Sequence, residues 1–112
     1  MKPALLLVDL QNDFLNSGRL HPAADTLLAG AANLLNACRR RRLPVIHIWT
    51  TIRREDDRRL PHWRRDGRWM CVAGTTGHQP PRALQPAAGE TIVHKTGFNP
   101  FADGSLAAAL NV

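Results

Sequence analysis

The amino-acid sequence predicts an α/β protein in which a parallel sheet lies between two layers of helices, a three-layer α/β/α fold. Two observations support this fold class. Short apolar runs at 4–8, 43–51 and 90–95 have the composition of buried strands, and a long segment of helical periodicity separates the first run from the second. Strand–helix–strand order with buried strands is typical of the right-handed parallel crossover.

The first two elements are a strand and a long helix. Residues 4–8 are continuously apolar and a carboxylate follows them, so we expect a fully buried strand there. Pro22 lies where a helix favours proline, and apolar residues then recur at helical spacing as far as about Arg40. The apolar face of this helix consists of Leu27, Leu28, Ala31, Leu34, Leu35 and Cys38.

The remaining elements are less regular. The run at 43–51 is rich in β-branched and aromatic residues, which predicts a second strand. Between 52 and about 88 the periodicity is lost, because Pro, Gly and Arg are frequent. A connection of this length in a compact domain is more often functional than idle. A third strand is predicted at 90–95, and a helix is predicted to begin at 105.

Three strands and about one and a half helices make only part of a doubly wound domain. Such a sheet would leave an unpaired apolar edge. We therefore expect residues 1–112 to be the N-terminal portion of a single domain, completed by a missing C-terminal part or by a second chain. We also expect the protein to form a homo-oligomer.

Composition limits the function classes. The formal net charge is +6, but the arginines concentrate at 39–42, the end of the predicted helix, and at 53–68, where acids are mixed with them. Aromatic residues do not alternate with these basic residues as stacking platforms for nucleic acid would, so we expect no nucleic-acid partner. No apolar run is long enough to span a bilayer, and we expect a soluble, cytoplasmic protein without a membrane partner. The two cysteines have no zinc-site spacing.

Two of the three predicted strands end in a charged residue, Asp9 and Lys95. Ligands of open parallel sheets bind beyond the carboxyl ends of the strands. Adjacent strands would place the two side chains close together there. A carboxylate beside an ammonium suits acid–base chemistry next to a nucleophile, and a structural ion pair that closes the sheet is the alternative.

The residues around these two positions resemble a known family. The stretch LLLVDLQNDF, together with CVAGTTGHQPPRALQPAAGETIVHKTGFNPF, resembles the isochorismatase-like cysteine hydrolases, among them nicotinamidases and N-carbamoylsarcosine amidases. The resemblance runs over essentially the whole chain. It implies a Rossmann-like α/β/α fold and a catalytic triad of Asp, Lys and Cys without an organic cofactor.

The resemblance assigns Asp9 and Lys95 to the catalytic positions. In the family the cysteine thiolate attacks a carbonyl carbon, and the aspartate takes the thiol proton and later protonates the leaving nitrogen. The family cysteine follows a further strand, and no matching segment occurs before Val112. Cys71 lies in a loop segment where the family cysteine has no catalytic role, and Cys38 is expected to be a small core residue.

The resemblance also suggests substrate-binding residues. Phe14 and Phe98 match positions that line the substrate pocket of relatives, although plain hydrophobic packing is nearly as good an explanation for each. Thr51 and Arg53, at the end of the second strand, are expected to face the rim and hold a substrate carboxylate or carbonyl. The Asp-x-His…His metal set of nicotinamidases has no matching spacing here, so no bound metal is expected.

The sequence thus predicts a hydrolase that cleaves a carbon–nitrogen bond in a small amide, ureido or carbamoyl compound, with Asp9 and Lys95 in this chain and the cysteine elsewhere. The 112-residue chain alone is expected to be inactive. Two alternatives remain. The protein could be a non-catalytic relative that binds a small molecule or a partner chain, or a vinyl-ether hydrolase of the isochorismate type that dispenses with cysteine.

Overall fold

The computed structural model describes residues 3–111 and contains a three-stranded parallel sheet in the order β1-β2-β3. The strands are β1 (Leu5–Val8), β2 (Val45–Thr50) and β3 (Thr91–Lys95), and the helices are α1 (Asn12–Leu15), α2 (Ala24–Arg40), α3 (Pro61–Arg65) and α4 (Ser105–Leu110). The predicted α/β fold class and the parallel sheet are confirmed.

The central strand β2 organises the fold. All six of its residues are buried, because β1 and β3 pair with its two edges and helices cover its two faces. On one face Leu7 and Val45 pack against Leu35 of α2 and against Leu84. On the other face a second cluster joins the sheet to α4 and consists of Ile46, Ile48, Val93 and Leu106. The sheet therefore lies between two helical layers, as the sequence predicts.

The prediction that β1 is fully buried was wrong. Leu7 is buried, but Leu5 and Leu6 are only half-buried and Val8 is 45% exposed. β1 is an edge strand of the described sheet, and α4, which packs on the same face as Val8, does not bury it. The strands that end at Asp9 and Lys95 were expected to be adjacent. They are not, because β2 lies between β1 and β3.

The connection between β2 and β3 is ordered by its own contacts. It contains α3 and two short 3₁₀ turns, at Thr76–His78 and Arg82–Leu84. Two guanidinium groups lie over the ring of Trp69, with Arg59 at 3.7 Å and Arg54 at 4.5 Å from the ring centre. Arg59 also donates two hydrogen bonds to the carboxylate of Asp57. The arginine-rich segment at 53–68 is therefore a folded loop rather than a free basic arm.

An ionic cluster closes the amino end of the sheet. The carboxylate of Glu90, just before β3, accepts hydrogen bonds from Nε and Nη2 of Arg39, both at 2.8 Å, and from Nε2 of His47 at 2.8 Å. The N–H of Ala87 donates a further bond at 2.9 Å. The guanidinium of Arg39 is the main reason that the pKa of Glu90 is lowered to about 2. This cluster joins the end of α2 to the strands.

No helix among residues 3–111 has the length and apolar character needed to cross a membrane.

Candidate active site

A cleft of about 470 Å³ opens at the carboxyl ends of the strands. Its floor contains Asp9, which follows β1, Thr50, which ends β2, and Lys95, which ends β3. The side chains of α1, of α3 and of the loop after β3 form its walls. The cleft lies where ligands of parallel α/β sheets bind.

The ammonium group of Lys95 is fully hydrogen-bonded. Its Nζ lies 3.2 Å from both carboxylate oxygens of Asp9 and donates to Oγ1 of Thr50 at 3.0 Å and to the carbonyl oxygen of Gly97 at 3.0 Å. An ammonium has three protons, so these three residues use its donors. The side chain is only 5% exposed. Lys95 is therefore a fixed positive charge below the cleft.

The hydroxyl of Thr50 bridges the two charged residues. It accepts from Lys95 and donates to Oδ1 of Asp9 at 2.9 Å. This bridge explains how Asp9 and Lys95 meet although their strands are not adjacent. The proximity predicted for the pair is found, but the reason differs, because the central strand presents a short polar side chain between them.

The carboxylate of Asp9 remains accessible from the cleft, since its side chain is 33% exposed. Its backbone is in the left-handed region, with a φ of 57°, and its N–H donates to the carbonyl oxygen of Ile48 at 2.9 Å. Aspartate tolerates this conformation better than most residues, but strained backbone of this kind concentrates at functional sites. The turn directs the carboxylate over the end of β2 instead of continuing the strand.

Gln11 holds the end of β2 in place. Its side chain is fully buried, and its amide accepts from the N–H of Thr50 and donates to the carbonyl oxygen of Thr50, both at 2.8 Å. The same amide nitrogen donates to the carbonyl oxygen of His78 at 2.8 Å. Gln11 thereby fixes the residue that bridges Asp9 and Lys95. No sequence pattern predicts this role for Gln11.

Asp13 joins α1 to the connection between β2 and β3. A carboxylate oxygen of Asp13 accepts a hydrogen bond from the N–H of Cys71 at 2.7 Å. The same carboxylate contacts Gly77 so closely that a Cβ at position 77 would collide with it. A larger residue at position 77 would therefore displace the carboxylate of Asp13 from its hydrogen bond with Cys71.

Cys71 is not arranged as a nucleophile. The residue is fully buried, and burial is the main reason that the pKa of its thiol is raised to about 12, with the negative charges of Asp13 and Asp9 adding to the effect. A thiol with this pKa carries a negligible thiolate fraction at neutral pH. Cys38, on α2, is half-buried and lies on the helix that packs against the sheet.

One wall of the cleft is apolar. Phe14 and Trp63 lie with their ring centres 6.2 Å apart, and Phe98 lies at the opening, where it is 79% exposed. Leu60 and Met70 also line this wall. Phe14 and Phe98 are thus placed where they were expected, while their contact with substrate stays a prediction.

Thr51 and Arg53 do not line this cleft. Side chains alternate along a strand, so Thr51 points to the side opposite Thr50. Its hydroxyl lies 2.8 Å from Nε2 of His78 and 2.7 Å from Nδ1 of His94. Burial is the main reason that the pKa values of both histidines are lowered, and the charge of Arg53 adds to the effect. The predicted contact of Thr51 and Arg53 with substrate has no support in the structure.

The donor set of the described chain does not form a metal centre. Within residues 3–111, no three His, Cys, Asp or Glu side chains are grouped so that they could hold an ion. Asp9 is hydrogen-bonded to Thr50 and Lys95, and a bound cation there would face the ammonium group.

Comparison with known proteins identifies the family. Residues 3–112 match the model of the isochorismatase domain. The chain belongs to the isochorismatase family. This confirms the resemblance seen in the sequence motifs.

Several solved structures share the fold. An isochorismatase family protein from Desulfovibrio vulgaris is 32% identical and superposes with a TM-score of 0.82, over 96% of this chain and 60% of that one. An N-carbamoylsarcosine amidase from Thermoplasma acidophilum is 27% identical, with a TM-score of 0.75 over 100% of this chain and 64% of that one. An isochorismatase from Pseudomonas putida is 27% identical, with a TM-score of 0.71 over 96% and 50% of the two chains.

The chain thus spans between half and two thirds of the length of these related structures. No curated protein sequence matches it closely enough to count as a relative.

Sequence reasoning also missed part of the cleft lining. Thr50 was missed because Thr50 and Thr51 are chemically identical neighbours, and only the strand's orientation decides which one faces the cleft. Arg19 and Arg68 line the cleft as well, although one lies in the loop after α1 and the other in the arginine-rich segment. No sequence spacing connects them.

Proposed function

We propose that this protein hydrolyses a carbon–nitrogen bond in a small amide, ureido or carbamoyl compound. The observation that carries the proposal is the Asp9–Lys95 pair, whose ammonium is buried and fully bonded while its carboxylate is one-third exposed at the floor of a cleft. A buried, fully bonded cation beside an accessible carboxylate at the floor of a cleft suits acid–base chemistry. The similarity to an N-carbamoylsarcosine amidase supports a substrate of this class.

The proposed mechanism uses Asp9 as the acid and base. The carboxylate takes the proton of a cysteine thiol, and the thiolate attacks the substrate carbonyl carbon. The carbon–nitrogen bond then breaks, and the nitrogen leaves with the proton from Asp9. Water, activated by the same carboxylate, hydrolyses the thioester. Lys95 stabilises negative charge on Asp9 and on the nearby thiolate throughout.

The nucleophilic cysteine is proposed to come from polypeptide other than residues 1–112, either a C-terminal part or a second chain. The exposure of apolar side chains supports this, since Val8 is 45%, Ile92 37% and Phe98 79% exposed. Val8 and Ile92 lie on opposite faces of the sheet, at its two edge strands. Further helices, or a partner in a homo-oligomer, would bury these positions as they complete the layers.

The experiment is to express the full-length protein and to measure ammonia release from a panel that begins with N-carbamoylsarcosine and nicotinamide. Turnover that iodoacetamide abolishes is the expected result, because the reagent alkylates a thiolate. A Cys71→Ala variant is the control and should retain turnover. A full-length protein that releases no ammonia from any small amide or ureido compound would contradict the proposal and favour a non-catalytic binding protein.

A further inference from the structure

The charges that line the cleft do not cancel. Asp9 and Lys95 pair with each other and offset one another. The other charged side chains of the lining are Arg19 and Arg68, both on exposed residues at the cleft walls. Within residues 3–111, neither guanidinium forms an ion pair or a hydrogen bond with an acidic side chain. The described cleft therefore carries a net charge of about +2 above its floor.

The arginine-rich segment at 53–68 contains six arginines besides Arg68, and four of them have acidic partners. These pairs are Arg58–Asp56, Arg59–Asp57, Arg64–Asp57 and Arg65–Asp66. Arg53 and Arg54 do not line the cleft. Arg68 lies only two residues after Asp66, and its backbone is fixed, because its carbonyl oxygen accepts from Nη1 of Arg59 at 3.2 Å. Its side chain lines the cleft without a carboxylate to meet it.

We propose that the substrate of this cleft is an anionic amide, whose carboxylate is bound by Arg19 and Arg68. The proposal rests on the proposed hydrolase function and names the substrate class of the same site. A guanidinium binds a carboxylate through two parallel hydrogen bonds, which gives both strength and orientation. The apolar part of the substrate lies against Phe14 and Trp63, and the amide carbonyl lies over Asp9 and Lys95. The cleft volume of about 470 Å³ fits a molecule of this size.

Equilibrium binding to the full-length protein tests the subsite, with isophthalamate and isophthalamide as probes. The two molecules have the same ring and the same primary amide. They differ at one position, where isophthalamate has a carboxylate and isophthalamide has a second, neutral amide. Calorimetric titration is performed on the wild type and on the Arg19→Gln and Arg68→Gln variants. Arg65→Gln is the matched control, because it removes the same charge from a side chain that is 75% exposed and paired with Asp66.

We expect isophthalamate to bind the wild type about tenfold to a hundredfold more tightly than isophthalamide, as charge-assisted hydrogen bonds of this kind give. Each cleft variant should lose most of this preference, and Arg65→Gln should keep it. The preference should also weaken as salt is added. Equal affinity for the two probes would overturn the proposal. Failure of both probes to bind at millimolar concentration would also overturn it. Preference that persists in both cleft variants would do the same.

Ammonia release from the two probes separates this proposal from the hydrolase proposal. Anion-selective binding without turnover of any amide would refute the hydrolase function and leave the carboxylate subsite in place. Equal turnover of isophthalamate and isophthalamide would refute the subsite and leave the hydrolase function in place.

Discussion

Two ionic clusters lie at opposite ends of the same sheet, and they differ in how completely their carboxylates are used. Glu90, before β3, is 11% exposed and accepts four hydrogen bonds, from Arg39, His47 and the backbone of Ala87. Asp9, after β1, has a side chain that is 33% exposed, and among the described residues its carboxylate is bonded only to Lys95 and Thr50. Both pair a carboxylate with a cation, but only one carboxylate is accessible from a cleft.

The difference distinguishes an ion pair that holds the fold from one that is available for chemistry. A carboxylate that is nearly buried and accepts four hydrogen bonds is poorly placed to take a proton from a reacting group. In the Asp9 cluster the cation is saturated, since Lys95 uses all its donors, and the anion is not. We therefore expect changes at Asp9 and Lys95 to affect turnover, and changes at Glu90 to affect stability.

The largest expected effect is the loss of turnover in Lys95→Ala. Removal of the ammonium deprives Asp9 and the thiolate of the nearest positive charge, and we expect kcat of the full-length protein to fall by about 10³-fold or more. Ammonia release measures kcat, and circular dichroism checks that the fold is retained. Glu90→Gln is the comparison variant, and its kcat should stay within about twofold of wild type. Wild-type kcat in Lys95→Ala would show that the Asp9 cluster is structural like that of Glu90.

A second prediction uses the adjacent threonines at the end of β2. Thr50→Val removes the hydroxyl that joins Lys95 to Asp9 and keeps the shape of the side chain, so we expect kcat to fall by about tenfold to a hundredfold. Thr51→Val removes a hydroxyl bonded to His78 and His94 outside the cleft and should leave kcat nearly unchanged. Equal loss of kcat in the two variants would contradict the assigned role of Thr50.

A smaller effect, on stability alone, is expected for Glu90→Gln. The variant leaves Arg39 and the buried His47 without their charged partner, and the free energy of unfolding should fall by about 1–3 kcal/mol. Urea denaturation measures the change. Asp56→Asn is the matched control, because its ion pair with Arg58 is exposed, and its loss should be below about 1 kcal/mol. A Glu90→Gln protein as stable as Asp56→Asn would show that the Glu90 cluster contributes no more than a surface pair.

The smallest expected effect is in the pH dependence of stability. The pKa of Glu90 is lowered from 4.5 to about 2, chiefly by the hydrogen bond from Arg39. Ionised Glu90 therefore stabilises the fold above pH 4.5, and this contribution is lost as the pH falls from 4.5 through about 2. The difference in unfolding free energy between wild type and Glu90→Gln should shrink across this window. A difference that stays constant across it would contradict the assignment.

Much of this fold follows from the sequence, because its strands are short apolar runs and α2 has a regular apolar face. The meeting of Asp9 and Lys95 was also predictable, since the carboxyl ends of parallel strands share one edge of the sheet. Their connection through Thr50 was not, because the strand order and the orientation of β2 depend on tertiary pairing. The same limit applies to Gln11, whose polar side chain gives no sign that it is fully buried against the end of β2.

The role of Asp9 is the central claim, and Asp9→Asn tests it most directly. The amide keeps the size of the carboxylate and can still accept from Lys95, but it cannot take a proton from a thiol. We predict that kcat for ammonia release by the full-length protein falls by about 10³-fold or more, with a melting temperature close to that of wild type. An Asp9→Asn protein that turns over within tenfold of wild type would contradict the account.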